Sequence, residues 1–510
     1  LVHLEAQMMQ ANEHILILGL GESGLSMARW CLSQGARVTV VDDRPASPQS
    51  AAIDSLKVDA GDRLQVKWGS AFQASLVDGT DVRAVFKSPG LSPAKVAEVS
   101  QAAKAMGLWL GTELSLFQAA LNELKQSRGY SPQILAITGT NGKTTVTQLT
   151  TVLVERAGAS VAMAGNVGPC LMDTLLNRID DLPEVWVLEL SSFQLDEVKD
   201  FKPTAATVLN LTQDHLDWHA DMQAYAQAKF NIFGADALAV LPRHDPLVMA
   251  WLPAAKEAAK KAKQTVTVQT FGPDLPSEPG DWGLEEVHGM TWLVRAHPAD
   301  ETQKRRKSED APELHIQRLM PADALRIRGQ HNALNALAAL ALATHTGRGM
   351  AAMLYGLREY PGEPHRTQSV AILNEVHYID DSKGTNVGAT VAALRGLGAQ
   401  QRLVVILGGD GKGQDFSPLL EPVRDHVRAV VLLGQDAKAI EAAIEPAGVD
   451  IHHAVDLPEA VRRAARCAVP GDAVLLSPAC ASLDMFRNYV HRAEVFVQAV
   501  NEIGEEGLSS

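Results

Sequence analysis

The chain has 510 residues, 46% of them hydrophobic and 21% charged, which is typical of a soluble globular protein with about three domains. Its net charge of −14 argues against a nucleic-acid-binding surface, and no apolar run approaches the ~18–20 residues that span a bilayer. The 4 cysteines lie far apart without a C-x-x-C pair, so we expect free thiols in a reducing cytoplasm.

The N-terminal region alternates predicted strands and helices in a doubly wound α/β pattern. A strand at residues 15–18 is followed by Gly19-x-Gly21-x-x-Gly24 and a helix, and the next strand ends at Asp42. This pattern fits a dinucleotide fingerprint in which Asp42 contacts a ribose hydroxyl. It also fits another diphosphate-bearing nucleotide or a purely structural turn, and these alternatives stay open. Residues 125–132 are predicted to form the linker to the next domain.

The most informative segment is residues 134–145. A buried strand at 134–137, a glycine-rich turn and a helix that starts at Lys143 together predict a phosphate cradle. Lys143 can reach the terminal phosphates, and the hydroxyl of Thr144 can hold Mg²⁺. The match to the standard phosphate loop is incomplete, because Ile137 occupies the position of its first glycine.

Two further strands of the central region, at residues 185–188 and 205–209, end in polar residues, where open α/β sheets place ligands. Glu189 is suited to a phosphate-bound Mg²⁺, although a helix-capping role is the alternative. The two acids and two histidines within residues 210–219 favour a metal or substrate site over a structural role. Lys229 looks, from its neighbours alone, like an exposed lysine on an ordinary helix.

From residue 272 to 312 the composition shifts to Pro, Gly, Glu and Lys, which predicts a solvated surface insertion rather than a partner-docking loop. An alanine-rich helix at 331–344 and a hinge at 361–364 follow. The last ~150 residues form a third α/β unit. Three of its loops, at 365–366, 380–386 and 408–413, each offer a cation that could hold an anionic substrate.

Taken together, these motifs resemble the Mur ligase family, and the resemblance covers nearly the whole chain. It is carried by segments 138–145, 165–168, 189–194, 210–215, 331–335, 365–366 and 381–386. The resemblance implies three domains: a Rossmann-like UDP-substrate-binding domain at 1–127, a central P-loop ATPase-like domain at 128–361, and a Rossmann-like amino-acid-binding domain at 362–510. It further implies a monomeric cytoplasmic protein whose partners are small molecules rather than nucleic acid or membrane.

The family members are ATP-dependent amide ligases that act through an acyl phosphate. The segments 408–416 and 476–486 resemble the member that adds D-glutamate to UDP-N-acetylmuramoyl-L-alanine. Two alternatives remain at this stage. One is a folylpolyglutamate synthetase-like ligase, and the other is an NAD-dependent oxidoreductase or NAD-binding module.

The resemblance also implies residue roles. The catalytic residues would be Lys143, Glu189, His215, Lys229 and Arg366. ATP would be held by Gly139, Thr140, Asn141, Gly142, Lys143, Thr144, Thr145, Asn332, Asn335, Arg366 and Asp381. The UDP-substrate would contact Ser23, Gly24, Asp42, Ser88, Gly90, Asn166, Ser191, Gln194 and His215. D-Glutamate would contact Lys383, Thr385, Lys412, Ser477 and Ser482. Two Mg²⁺ ions are expected, with ligands from Thr144, Glu189, His215 and Lys229, the last as a carbamate.

Overall fold

The computed structural model describes residues 11–508 except 197, 199, 200, 217, 235 and 300–312. Over this part of the chain it contains three sheets, of 5, 9 and 6 strands. Most neighbouring strands are parallel and are joined through helices, so the predicted α/β class with three units is confirmed.

The N-terminal sheet is parallel throughout, with the order β3-β2-β1-β4-β5. Its core strands are almost wholly buried, because helices cover both faces. The strands are β1 His14–Leu18, β2 Arg37–Asp42, β3 Leu64–Trp68, β4 Val82–Lys87 and β5 Trp109–Thr112. The helices are α1 Glu22–Ser33, α2 Ser50–Ala60, α3 Ala97–Ala105 and α4 Glu113–Arg128.

The central sheet has the order β14-β13-β12-β11-β10-β9-β6-β8-β7, and only β12 to β14 pair antiparallel. Its strands are β6 Gln133–Thr138, β7 Val161–Gly165, β8 Val185–Glu189, β9 Ala205–Val208, β10 Leu238–Pro242, β11 Thr267–Phe271, β12 Trp282–Val287, β13 Met290–Pro298 and β14 Leu314–Pro321. The helices are α5 Lys143–Arg156, α6 Leu171–Asn177, α7 Ser192–Leu195, α8 Met222–Phe230, α9 Pro246–Met249, α10 Trp251–Ala262, α11 Gln330–Thr344 and α12 Met350–Glu359.

The C-terminal sheet has the order β15-β16-β20-β17-β18-β19, with β15 antiparallel at one edge. The strands are β15 Gln368–Leu373, β16 Val376–Asp380, β17 Leu403–Gly408, β18 Val427–Leu433, β19 Asp450–His453 and β20 Ala473–Leu476. The helices are α13 Val387–Gly398, α14 Leu420–His426, α15 Ala437–Ile444, α16 Leu457–Cys467 and α17 Tyr489–Leu508.

One apolar core runs through both the N-terminal and the central domain. Residues of both sheets belong to this single buried cluster, and Phe117 on α4 meets Trp186 on β8 edge-to-face with centroids 5.0 Å apart. The C-terminal sheet instead lies between two apolar clusters made entirely of residues of the C-terminal domain. The first two domains are therefore joined by hydrophobic packing that the third does not share.

Two predictions about connecting segments need correction. The predicted linker at 125–132 is shorter, because α4 continues to Arg128 and ends at Gly129, whose φ of 68° suits a helix C-cap. The predicted surface insertion at 272–312 contains two strands, β12 and β13, which extend the central sheet and pair with β14. The basic run at 304–307 lies outside the described residues. Among the described residues, no helix has both the length and the apolar character needed to cross a bilayer.

We expect the third glycine of the N-terminal turn to be intolerant of substitution. A Cβ on Gly24 would overlap the carbonyl oxygen of Gly19, so Gly24→Ala should force the turn apart and destabilise the protein by roughly 1–3 kcal/mol. A Cβ on Gly21 would meet nothing within 4 Å, which makes Gly21→Ala the matched control. Denaturant unfolding of both variants tests this, and equal stabilities would contradict the close approach.

Candidate active site

The phosphate loop lies between β6 and α5, as predicted. The helix begins at Lys143 directly after Gly142, whose φ of 80° is a left-handed conformation that glycine adopts without strain. Lys143 Nζ donates hydrogen bonds of 2.9 Å to the carbonyl oxygens of Gly139 and Thr140, so the ammonium lies over the loop. Burial lowers the pKa of Lys143. The loop thus offers a helix N-terminus and a cation to an anionic ligand.

A cavity of about 210 Å³ opens in front of this loop, between the central and the C-terminal domain. Both domains contribute polar side chains to its wall. The lining residues are Thr140, Asn141, Gly142, Lys143, Thr144, Asn166, Val167, Glu189, Gln213, Asp214, His215, Leu216, Arg366, Lys383, Thr385, Asn386, Lys412, Gly413 and Gln414. Twelve of the residues predicted from the sequence therefore meet at one cavity.

A buried carboxylate forms part of the cavity wall beside the phosphate loop. Glu189 ends β8 and is 1% exposed; its Oε1 accepts a hydrogen bond of 2.9 Å from Asn166 Nδ2. Its buried Oε2 has no hydrogen-bond partner among the described residues. Nearby, Arg366 Nη2 donates to Thr144 Oγ1 at 2.8 Å, so a cation of the C-terminal domain reaches the first turn of α5. An acid, a hydroxyl and an arginine converge here.

The structure places Lys229 in the interior, where the sequence pattern alone indicated an exposed position. Its side chain is 1% exposed, and Nζ donates to Gly139 O at 2.9 Å and to Thr138 Oγ1 at 3.3 Å. Nζ also lies 4.7 Å from the ring centroid of Tyr225. Burial, together with the nearby charge of Lys143, holds the pKa of Lys229 well below its usual value. This lysine is therefore directed at the base of the phosphate loop with a weakened proton affinity.

His215 lines the cavity from the loop after β9, with a left-handed φ of 54°. Its Nε2 lies 3.7 Å from Asp214 Oδ2, and its ring meets Phe193 edge-to-face at 4.7 Å. Burial lowers the pKa of His215, and the positive charge of Lys143 adds to this against the opposing effect of Asp214. A neutral imidazole is available as a ligand or a proton acceptor.

The C-terminal domain presents Lys383 beside an aromatic ring. Lys383 Nζ lies 3.8 Å from the centroid of Tyr489, and burial lowers the pKa of this lysine to about 8. Asp381 Oδ2 accepts a hydrogen bond from Ser477 Oγ at 2.7 Å, and burial raises the pKa of Asp381 to about 7. Ser477 is fully buried, and it is Lys383 that faces the cavity.

The N-terminal glycine turn is fixed by a network of polar contacts. Asp42 Oδ2 accepts from Leu20 N at 2.7 Å, and Ser88 Oγ donates to Gly19 O at 2.8 Å. Arg44 pairs with the carboxylate of Asp42 at 2.7 Å. Burial opposes ionisation of Asp42, but the hydrogen bonds from Arg44 and Leu20 outweigh it and lower the pKa to about 2. The turn therefore carries both an anion and an exposed cation.

Several predicted residues lie outside the cavity wall. Ser191 and Gln194 form a capping box at the start of α7, with Gln194 N donating to Ser191 Oγ at 3.2 Å. Asn335 donates to Asn332 on α11 and lies against Gly142. The remaining predicted residues that do not line the cavity are Gly139, Thr145, Lys229, Asp381, Ser477 and Ser482, and in the N-terminal domain Ser23, Gly24, Asp42, Ser88 and Gly90.

Sequence reasoning assigned no role to several side chains that the structure brings to these sites. Arg44 covers the glycine turn, Tyr489 lies under Lys383, and Asn386 and Gln414 line the cavity. Arg44 had a usable signal, since it stands two residues after a strand-ending acid. Tyr489 had none, because more than one hundred residues separate it from its lysine.

The donor set fits a divalent cation that prefers oxygen ligands. Glu189 Oε2 is a buried carboxylate oxygen with no hydrogen-bond partner in the part of the chain that the structure describes, and Thr144 offers a hydroxyl at the helix start. No group of three or more His, Cys, Asp or Glu side chains is close enough to hold a metal among residues 11–508 as described. A site here needs oxygens from a bound phosphate as well, which is how Mg²⁺ is usually held with nucleotides.

Comparisons with known proteins identify all three domains. The family models that match are Mur ligase MurD-like, N-terminal domain (residues 13–108), Mur ligase middle domain (137–343), and Mur ligase, glutamate ligase domain (365–480). The UDP-N-acetylmuramoylalanine–D-glutamate ligase of Albidiferax ferrireducens is 59% identical over 494 residues, which cover 96% of both chains.

Solved structures share the fold at much lower identity. The MurF ligase of Thermotoga maritima in complex with ADP has a TM-score of 0.55 and 16% identity, over 97% of this chain and 96% of its own. The folylpolyglutamate synthase of Mycobacterium tuberculosis complexed with ADP has a TM-score of 0.52 and 17% identity, over 75% of this chain and 94% of its own.

Proposed function

The chain belongs to the Mur ligase family, and from this we propose that it joins D-glutamate to UDP-N-acetylmuramoyl-L-alanine with hydrolysis of ATP. It is an ATP-dependent ligase of peptidoglycan precursor synthesis. The observation that supports the assignment most directly is the cavity in which Lys143 of the phosphate loop faces Arg366 and Lys383 of the C-terminal domain. Such a cavity can hold a nucleotide phosphate and an amino-acid carboxylate side by side.

The reaction has two steps. In the first, an oxygen of the alanyl carboxylate attacks the γ-phosphorus of ATP, the bond to the β-phosphate oxygen breaks, and ADP leaves. In the second, the amine of D-glutamate attacks the acyl-phosphate carbon, the amine loses a proton, and inorganic phosphate leaves. Lys143 and Arg366 stabilise the charge that develops on the transferring group, and correct positioning of the reactants supplies much of the remaining acceleration.

The three substrates have separate sites in this proposal. Asn332 and Asn335 would contact the adenine, and Asn335 also lies against Gly142 of the phosphate loop. The N-terminal turn, with Ser88 and Arg44, holds the uridine diphosphate. Lys383, Thr385 and Lys412 hold the D-glutamate carboxylates, and these three residues line the same cavity as the phosphate loop. Ser477 and Ser482 are buried, and the Ser477 hydroxyl donates to Asp381 Oδ2 two residues before Lys383.

Mg²⁺ would be held by Thr144, Glu189 and His215, together with the nucleotide's phosphates. When bound, it would neutralise negative charge on the phosphoryl group. We further propose that Lys229 carries a carbamate. Its buried side chain and lowered pKa favour the neutral amine, which is the form that adds to CO₂ with loss of a proton. The product would be a carboxylate-like ligand for a second Mg²⁺ at the base of the phosphate loop.

The two alternatives are less favoured. A folylpolyglutamate synthetase would share the ligase chemistry, but the relative with that name is related only at 17% identity and covers 75% of this chain. An NAD-dependent oxidoreductase or NAD-binding module leaves the phosphate loop and Glu189 without a role. We also propose that the protein is a monomer that acts in the cytoplasm, where ATP is available.

The proposal is tested by phosphate release from ATP in the presence of UDP-N-acetylmuramoyl-L-alanine and amino acid. Turnover with D-glutamate, and little with L-glutamate, is expected. Equal turnover with the two enantiomers, or none with D-glutamate, would contradict it. Folate-dependent turnover would instead favour the synthetase alternative, and tight NAD binding in a titration would favour the dinucleotide one.

The pH dependence of D-glutamate use should reveal Lys383. Because the pKa of Lys383 is lowered to about 8, its ammonium is present below that pH and is lost above it. We expect kcat/KM for D-glutamate to fall by up to about tenfold for each pH unit above 8. Arginine keeps its charge throughout this range. In Lys383→Arg, the fall of kcat/KM at alkaline pH should therefore begin at a higher pH. A fall at the same pH as in the wild-type protein would contradict this role for Lys383.

A further inference from the structure

Helix α13 follows residues 381–386, which we call the amino-acid loop, and it begins against the phosphate loop of the central domain. Asn386 caps this helix, because its Oδ1 accepts a hydrogen bond of 2.9 Å from Ala389 N. Its Nδ2 donates to Asn141 Oδ1 at 3.0 Å, and Asn141 Nδ2 donates to Asn386 Oδ1 at 3.2 Å. The two side-chain amides thus form a reciprocal pair across the domain boundary, and Asn386 is only 5% exposed.

The pair is anchored firmly on the side of the phosphate loop. Asn141 N donates to Asn210 Oδ1 at 2.8 Å, and Asn210 Nδ2 donates to Asn141 O at 3.0 Å. The backbone of Asn141 is therefore fixed while its side chain faces the other domain. Asn386 Nδ2 makes a further contact of 3.3 Å with Asp214 Oδ2 on the loop that carries His215. One amide of the C-terminal domain therefore contacts two central-domain loops.

Glycines let α13 approach the central domain closely. A Cβ on Gly388 would lie 2.5 Å from Thr212 Oγ1, and a Cβ on Gly396 would lie 2.5 Å from His331 Nδ1. These glycines are eight residues apart and share one face of the helix. Both ends of the helix therefore contact the central domain. A shift of the helix away from this domain would separate the two amides.

The pair also lies between two substrate loops. Lys383 and Thr385, which face the cavity, stand three residues and one residue before Asn386, and Gly142 and Lys143 follow Asn141 directly. A movement of the phosphate loop would therefore reach the amino-acid loop through the Asn141–Asn386 pair.

We propose that Asn386 is a positioning residue that couples occupancy of the phosphate loop to affinity for the amino acid, through its amide pair with Asn141. The inference rests on the proposed function, which supplies D-glutamate as the amino acid. Coupling of this kind is reciprocal, so D-glutamate should tighten nucleotide binding by the factor by which the nucleotide tightens D-glutamate binding.

The test uses Asn386→Ser in the full chain. Serine also caps helices, so α13 keeps a cap, but its side chain is too short to reach Asn141. Calorimetry measures the affinity of the protein for AMP-PNP, a non-hydrolysable ATP analogue, in the presence of Mg²⁺. The titration is run without D-glutamate and again with saturating D-glutamate. D-Glutamate should tighten binding to the wild-type protein, and the variant should lose at least about fivefold of that coupling.

Two further variants distinguish the loss of the amide pair from a general loss of stability. Gly388→Ala leaves both amides intact but moves α13 away from Thr212, so it should also lower the coupling. Asp456 caps α16 in the same domain, with Oδ1 accepting from Glu459 N at 2.8 Å. Asp456→Ser makes the same kind of cap exchange far from the boundary and should keep the wild-type coupling.

Each outcome is informative. Wild-type coupling retained in Asn386→Ser would overturn the inference, whatever the result for Gly388→Ala. A wild-type protein that forms product but shows no coupling would also overturn it, and would leave the proposed function intact. A wild-type protein that neither forms product nor binds D-glutamate would remove the proposed function and this inference together. Should Asn386→Ser not fold, the Gly388→Ala measurement decides the question.

Discussion

Lys229→Ala is expected to lower turnover by about 10³-fold or more, because it removes the side chain that we propose to hold a metal ion as a carbamate. Short carboxylates such as acetate should restore part of the activity by occupying the space that the buried side chain leaves. Wild-type protein stripped of CO₂ should likewise lose activity and regain it with added bicarbonate. Steady-state phosphate release measures all three effects.

The matched control is Lys229→Met, which fills most of the same volume without a reactive amine. It should be as inactive as the alanine variant and should not respond to acetate, because it leaves no space for it. Full activity of Lys229→Ala without rescue would exclude the carbamate. A loss of activity that no carboxylate restores in either variant would leave Lys229 as a structural residue that supports Gly139 and Thr138.

Glu189→Gln should be the second large loss, again about 10³-fold in turnover. The amide cannot supply the anionic oxygen that Mg²⁺ prefers, and it removes a negative charge close to Lys143 and Lys229. If Glu189 is a metal ligand, the variant should also need a higher Mg²⁺ concentration for half-maximal activity. A Mg²⁺ titration of phosphate release therefore distinguishes ligation from a purely electrostatic effect.

Glu184 provides the control for this change. It lies just before β8, the strand that Glu189 ends, but it is exposed and pairs with Arg348 at 2.8 Å. Glu184→Gln should leave turnover and the Mg²⁺ requirement unchanged. Unaltered Mg²⁺ dependence in Glu189→Gln, even with slow turnover, would argue that this carboxylate orients Asn166 rather than a metal.

Strands β1, β2, β6, β8 and β9 could be predicted from the sequence because they are buried apolar runs. β12 and β13 could not, since adjacent glutamates interrupt β12, Arg295 interrupts β13, and Pro and Gly residues surround both strands. A local signal was nevertheless present. His288 and Gly289 connect these strands, and both have positive φ, as two-residue hairpin turns require.

Some residues of the candidate site could likewise be predicted from the sequence, and others could not. Local patterns sufficed for the phosphate loop and for Glu189, because each lies at the end of a predictable strand. The burial of Lys229 depends on the packing of α8 under the loop, and no pattern within nine helical residues reports it. The meeting of Lys383 with Tyr489 and of Asn141 with Asn386 depends on tertiary folding across long stretches of chain, which periodicity does not encode.

The apolar core that the N-terminal and central domains share has a consequence for how the protein unfolds. Two sheets that share one core gain and lose their stability together, so they form a single cooperative unit of roughly 350 residues. The C-terminal sheet, with clusters of its own, can melt separately. A ligand that contacts both units is bound only while both are folded, so it raises the free energy of unfolding of each. Because the cavity lies between the units, bound substrates should raise the melting temperature of the protein.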